Sequence, residues 1–186
     1  MTRNILPILI TASVFIAAVA LAAAPAANPR VLLKTTKGDI TIELYPAKAP
    51  ITVKNILGYV EEKFYDGLIF HRVMPGFMIQ CGGLDADMHQ KSGKAPIKNE
   101  SGNGLTNVRG AVAMARTQDL DSATSQFYIN LVDNPRLDEM KYCSFGKVVA
   151  GMDVVDAIAK VPTGDKRGHQ NVPVEPIQIL SATVVK

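Results

Sequence analysis

In the run FHRVMPGFMIQ, residues 70–80, one arginine stands among large apolar side chains and a glutamine closes the segment. Arg72 carries a charge that does not titrate and five donors in a rigid fork. A segment this apolar seldom holds such a group unless the head group has a task, so the composition points to a dry pocket with one strong donor. Read as a strand, Phe70, Arg72 and Met74 face one way and His71 and Val73 the other. Pro75-Gly76 breaks the pattern, and Phe77 to Gln80 reads as a second short strand. Arg72 and Gln80 can then approach each other across the bend. The same spacing also fits a core hairpin whose arginine stem covers apolar surface while its head reaches water.

Other chemistries find less support. A serine or cysteine hydrolase needs a nucleophile with a base in reach, yet the chain has no Gly-x-Ser-x-Gly, and alternation turns His71 away from Arg72. Asp85, Asp87 and His89 fit no zinc or calcium spacing and read as a solvated loop. Formal net charge is +3 over 186 residues, and the chain beyond residue 29 holds 19 basic against 17 acidic side chains. Its lysines and the Lys166-Arg167 pair form no stripe with interleaved aromatics, which argues against nucleic acid.

The elements that must position Arg72 are short. Val31–Thr35 and Ile40–Leu44 flank Lys37-Gly38-Asp39 and alternate as a hairpin does. Ala49-Pro50 opens a helix predicted to run to about Glu62, with Val53, Ile56, Leu57 and Val60 at helical spacing. Segments 110–115, 126–132, 145–149 and 177–185 are β-like, and Met152–Lys160 reads as a second helix. Strands separated by loops, with only two helices, suggest a closed antiparallel sheet. Loop 99–107, NESGNGLTN, reads as a surface turn whose glycines tolerate positive φ, though loops beside a rigid scaffold often carry function.

Length fits one domain, 30–186, behind an N-terminal segment. Arg3, the apolar stretch Ile5–Ala23 and the small residues after it read as a signal peptide, residues 1–26, cut between 22 and 27. The apolar run also approaches the length of a membrane anchor, though its alanine content favours cleavage and no stable membrane insertion thereafter. Either way the folded domain is expected outside the cytoplasm. In that compartment Cys81 and Cys143 could pair or remain two buried free thiols. Nothing in the sequence asks for a partner copy, so a monomer is expected.

FHRVMPGFMIQ resembles the signature of the cyclophilin-type peptidyl-prolyl isomerases. GAVAMAR at 110–116, SATSQFYIN at 122–130 and FGKVVAGMDVVD at 145–156 follow in that family's order. The resemblance covers residues 30–186 and is closest to the periplasmic bacterial branch. It implies a mainly β fold, a closed eight-stranded antiparallel β-barrel capped by two α-helices. It also implies rotation of Xaa-Pro bonds in exported proteins, without cofactor or metal, the partners being proline-containing unfolded or partly folded polypeptides. Arg72 would be the catalytic donor, with Gln80 orienting it or holding substrate. Phe77, Met78, Phe127, Leu137 and Tyr142 would line a proline pocket. Gln126 would hydrogen-bond the peptide, and Ala115 with the backbone around Arg116 would bind the residue before proline. Ordinary core packing is the competing reading for each apolar residue. A groove that only holds clients, as a chaperone does, would use the same side chains.

Three positions depart from the best-known members of that family. Arg136 stands where many have a tryptophan, Tyr142 where they have a histidine, and Arg116 where an asparagine often follows Met-Ala. The missing indole implies weak or no cyclosporin binding. The loop Asp138–Ser144 also differs in length.

Overall fold

A computed structural model describes residues 27–185. Its first strands, β1 (Arg30–Thr35) and β2 (Gly38–Leu44), form the expected hairpin, in which Val31, Leu33, Ile40, Ile42 and Leu44 are buried. Helix α1 (Pro50–Glu61) follows, then β3 (Arg72–Met74), β4 (Met78–Cys81), β5 (Ala111–Met114) and β6 (Phe127–Asn130). The short helix α2 (Pro135–Glu139), β7 (Ser144–Ala150) and α3 (Met152–Ile158) come next. Strands β8 (Thr163–Lys166) and β9 (His169–Pro173) make a separate hairpin, and β10 (Ile179–Val185) ends the described chain.

Eight strands form one antiparallel sheet in the order β10-β1-β2-β7-β5-β6-β4-β3. It curls, but its two end strands do not pair along a full ladder. The residues just ahead of β3 join the start of β10 and Ile177 before it instead: Gly67 N–H donates to Ile179 C=O at 2.8 Å, Ile179 N–H to Leu68 C=O at 2.8 Å, and Phe70 N–H to Ile177 C=O at 2.9 Å. The expected barrel is thus bridged rather than seamlessly closed. Two features go beyond the two-helix expectation: the five-residue α2, and the β8–β9 hairpin outside the main sheet.

The core fills the inside of the curl. Tyr65 meets Phe127 edge-on at 5.5 Å, and Phe127 meets Phe145 at 6.5 Å. Helix α1 buries Val53, Ile56, Tyr59 and Val60 against this core, the stripe its spacing predicts, while Leu57 is only half-buried. Its N-cap position, Ala49, has no side-chain acceptor to offer. Glu100 supplies one from loop 99–107, accepting from Ile51 N–H at 3.0 Å, Thr52 N–H at 2.8 Å and Thr52 Oγ1 at 2.8 Å. A carboxylate at the positive end of a helix also meets its dipole favourably.

Cys81 and Cys143 are both buried and free. Burial pushes both thiols up from their ordinary range, which keeps them protonated and unreactive.

Candidate active site

The register of four strands builds the site. Arg72 on β3 pairs with Gln80 on β4, Gln80 with Tyr128 on β6, and Tyr128 with Ala113 on β5. Directly paired residues share a face of the sheet, so this row projects outward. One residue along, Cys81, Phe127 and Met114 form the row that faces the core.

The outward row opens into a groove of about 580 Å³. Met78, Tyr128 and Leu137 are buried in its floor, and Phe77, Ala115 and Tyr142 pack against them half-buried. This small apolar cluster is separate from the main core, and a ring-sized apolar group fits its chemistry.

Polar groups stand along one edge. Gln80 Nε2 donates to Gln126 Oε1 at 2.9 Å, which fixes both amides. Half-buried Arg72 borders the groove beside them, and among the described residues no carboxylate pairs with it. Its donors therefore remain available to a ligand. His71 also borders the groove, 6% exposed, because alternation begins only at Arg72. Phe70 accordingly joins Val73 in the core instead of sharing Arg72's face. Burial, followed by repulsion from His169, lowers the His71 imidazole to about 4, although nearby Ile69 C=O and Gln126 pull the other way. Its Nδ1 has no hydrogen-bond partner of good geometry.

The opposite wall is a stack. The Arg116 guanidinium lies 4.3 Å over the Tyr142 ring, held by donation to Thr117 C=O at 2.8 Å and to Met140 C=O. Tyr142 meets Tyr128 edge-on at 6.0 Å. Tyr128 Oη donates to Asn107 Oδ1 at 2.9 Å, while Asn107 N–H and Nδ2 donate to Asp138 Oδ1 at 2.9 and 2.7 Å. Burial, with the neighbouring Tyr142 and Asp138, keeps the Tyr128 phenol protonated.

Arg72, Gln80, Phe77, Met78, Ala115, Arg116, Gln126, Leu137 and Tyr142, the residues to which spacing and the family resemblance pointed, thus border one groove. Phe127 does not. It lies in the core, and its neighbour Tyr128 takes the place in the pocket, because the period of two puts Tyr128 on the face of Gln126 and Gln80.

Comparison with known proteins agrees with this geometry. The family described as cyclophilin type peptidyl-prolyl cis-trans isomerase/CLD matches residues 30–184. The chain belongs to the cyclophilin-type peptidyl-prolyl cis-trans isomerases. The Acinetobacter baylyi protein named peptidyl-prolyl cis-trans isomerase is 55% identical over 162 residues, 85% of this chain and 86% of that one. Peptidyl-prolyl cis-trans isomerase B of Escherichia coli is 53% identical over 161 residues, 83% of this chain and 98% of its own. Among solved structures, a Cryptosporidium parvum cyclophilin in the presence of the dipeptide Ala-Pro superposes with a TM-score of 0.75 at 28% identity, covering 84% of this chain and 99% of that one.

Within this cyclophilin, several supporting residues were not legible as such. Asn107 lies in loop 99–107, none of which lines the groove; it braces Tyr128 from behind and accepts from Asn130 Nδ2 at 3.2 Å. Gly168, His169, Gln170 and Asn171 of the β8–β9 hairpin also line the groove, contributed by a segment to which the sequence reading assigned no element. Of the three departures, Arg116 and Tyr142 line the groove, whereas Arg136 is exposed on α2 and does not. Asp85 accepts from the backbone N–H groups of Asp87 and His89 at 3.0 and 2.8 Å.

Proposed function

We propose that Arg72 drives isomerisation by meeting the proline nitrogen as the Xaa-Pro bond twists, in proteins exported with this one. The planar amide resists rotation by roughly 20 kcal/mol because its nitrogen lone pair is shared with the carbonyl. At the twisted geometry that pair localises on a pyramidal nitrogen, so a guanidinium beside it binds the transition state better than the ground state. The single observation that carries this reading is a half-buried cation without a carboxylate partner among the described residues, at the rim of an apolar hollow.

A ten-thousandfold acceleration needs about 5.5 kcal/mol, while one charge-assisted hydrogen bond contributes roughly 1.5–3 kcal/mol. The balance comes from holding the ring on Phe77, Met78, Tyr128 and Leu137 and the peptide on Gln80, Gln126, Ala115 and the backbone of Arg116. No proton moves, so neither base nor nucleophile is needed. The Cryptosporidium relative's title pairs it with Ala-Pro, which supports proline-containing segments as the ligand here.

The signal-like composition of residues 1–26 supports export to the periplasm, where unfolded clients emerge; those residues lie outside the described structure. The described domain is proposed to act as a monomer. Tyr142 walls the pocket without an indole beside it, and Arg136 points away from the lining, which supports weak cyclosporin binding.

The test is an isomerisation assay on an Ala-Pro peptide with the wild type and Arg72→Ala. A loss of about ten- to hundredfold in kcat/KM with an unchanged unfolding curve is expected. A variant as active as the wild type sinks the role of Arg72. A wild type that accelerates nothing yet suppresses aggregation of unfolded clients would make the groove a holding site.

A further inference from the structure

The charges around the groove are one-sided. Arg72 and Arg116 border it from opposite edges, His169 also lines it, and among the described residues no aspartate or glutamate does. Nearby carboxylates are occupied elsewhere. Asp138 accepts from Asn107, Asp121 from Asn99 N–H at 2.8 Å, and Asp119 from Asp121 N–H at 3.0 Å. None of them forms an ion pair with Arg116.

Arg116 is also held rigidly. Two of its nitrogens are tied to the carbonyls of Thr117 and Met140, its plane rests on Tyr142, and its buried Nε has no partner. An arginine kept only for packing would be free to swing into solvent or to take one of the local carboxylates. This one presents a fixed positive charge to the groove. A concave site with low-dielectric walls strengthens such a field relative to an open surface.

We propose that Arg116 makes this isomerase select segments with an acidic residue immediately before proline. This rests on the reading that Ala115 and the Arg116 backbone hold the residue preceding proline. A glutamate or aspartate there brings its carboxylate to the guanidinium without displacing the stack on Tyr142. A lysine at the same position meets Arg116 as a like charge, with no anion in the lining to relieve it.

Four peptides that differ only in the residue before proline, Ala, Gln, Glu or Lys, test this by kcat/KM in low salt. The wild type is expected to favour Glu over Lys about tenfold, with Gln and Ala between, and the ratio should fall towards twofold in molar salt. Arg116→Gln should reduce the low-salt ratio to about threefold or less, while Arg116→Lys, which keeps the charge, should retain most of it. A wild type that turns over the Ala peptide but treats Glu and Lys alike within twofold overturns the proposal and leaves the isomerase reading standing. If no peptide is accelerated, the isomerase mechanism fails instead, and titration of the Glu and Lys peptides followed by backbone amide shifts still decides the selectivity. Equal affinity for the two would then overturn it. Should Arg116→Gln not fold, the Lys variant and the salt dependence carry the same decision.

Discussion

At the scale of single residues, the groove depends on which atoms are charged and which are spent. Among the described residues no carboxylate claims the donors of Arg72, whereas Gln80 Nε2 is spent on Gln126 Oε1. His71 stays neutral beside the Arg72 guanidinium, and this has a pH signature. Its imidazole lies at about 4 in the folded protein against 6.5 in a free histidine. Above pH 6.5 both folded and unfolded chains hold it neutral, and its effect on pH-dependent stability is nil. As pH falls from 6.5 towards 4 only the unfolded chain takes up the proton, so stability is lost across that window. The full loss is up to roughly 3 kcal/mol. Urea unfolding of the wild type and His71→Gln at pH 7 and pH 4.5 checks this: the difference between the two pH values should be smaller in the variant. Equal pH dependence in both would show that His71 protonates freely in the folded state.

At the scale of elements, loops complete what the helices and strands lack. Helix α1 begins at Pro50 behind a residue that cannot cap it, and Glu100, far along the chain, caps it instead. Glu100→Ala should cost about 1–2 kcal/mol, read as a lower thermal midpoint, while activity per folded molecule stays near the wild-type value because loop 99–107 does not line the groove. A second contact is tighter. Gly83 lies against the side chain of Gln126, so a Cβ there would overlap that amide. Gly83→Ala is expected to push Gln126 off Gln80 and lower kcat/KM on the order of tenfold, with a stability loss of only about 1 kcal/mol. An unfolding curve shifted far more than the activity would mean that the backbone, not the amide, had moved.

At the scale of the whole molecule, a curled sheet separates two apolar clusters, the core inside and the groove floor outside. The core alone spans β1–β7 and β10 with α1 and α3, so the fold does not lean on a covalent staple. Both cysteines are buried free thiols, and thiol titration should therefore find two groups only after denaturation, with the thermal midpoint unchanged by reductant. A midpoint that falls on reduction would reveal a bridge. Gly151 marks the junction of β7 with α3: its φ of 85° and the close carbonyl of Asp39 leave no room for a side chain, so the helix is turned back against β2 at that point.

By itself the sequence determined the Arg72–Gln80 hairpin and the buried stripe of α1, because those follow from alternation, helical spacing and a turn at Pro75-Gly76, all local; most of the groove's lining came only through the family resemblance that the long motifs carry. The long motifs determined the family. Tertiary structure alone decided between Phe127 and Tyr128: two adjacent aromatics look alike until the register with β4 turns one inward and the other into the groove. It likewise decided that Glu100 caps α1, that Asn107 braces Tyr128, and that the β8–β9 hairpin lines the groove. Each of these joins residues from 21 to 48 positions apart in sequence, or distant strands of the fold, and such pairings are set by how the sheet curls, which no short window of the chain encodes.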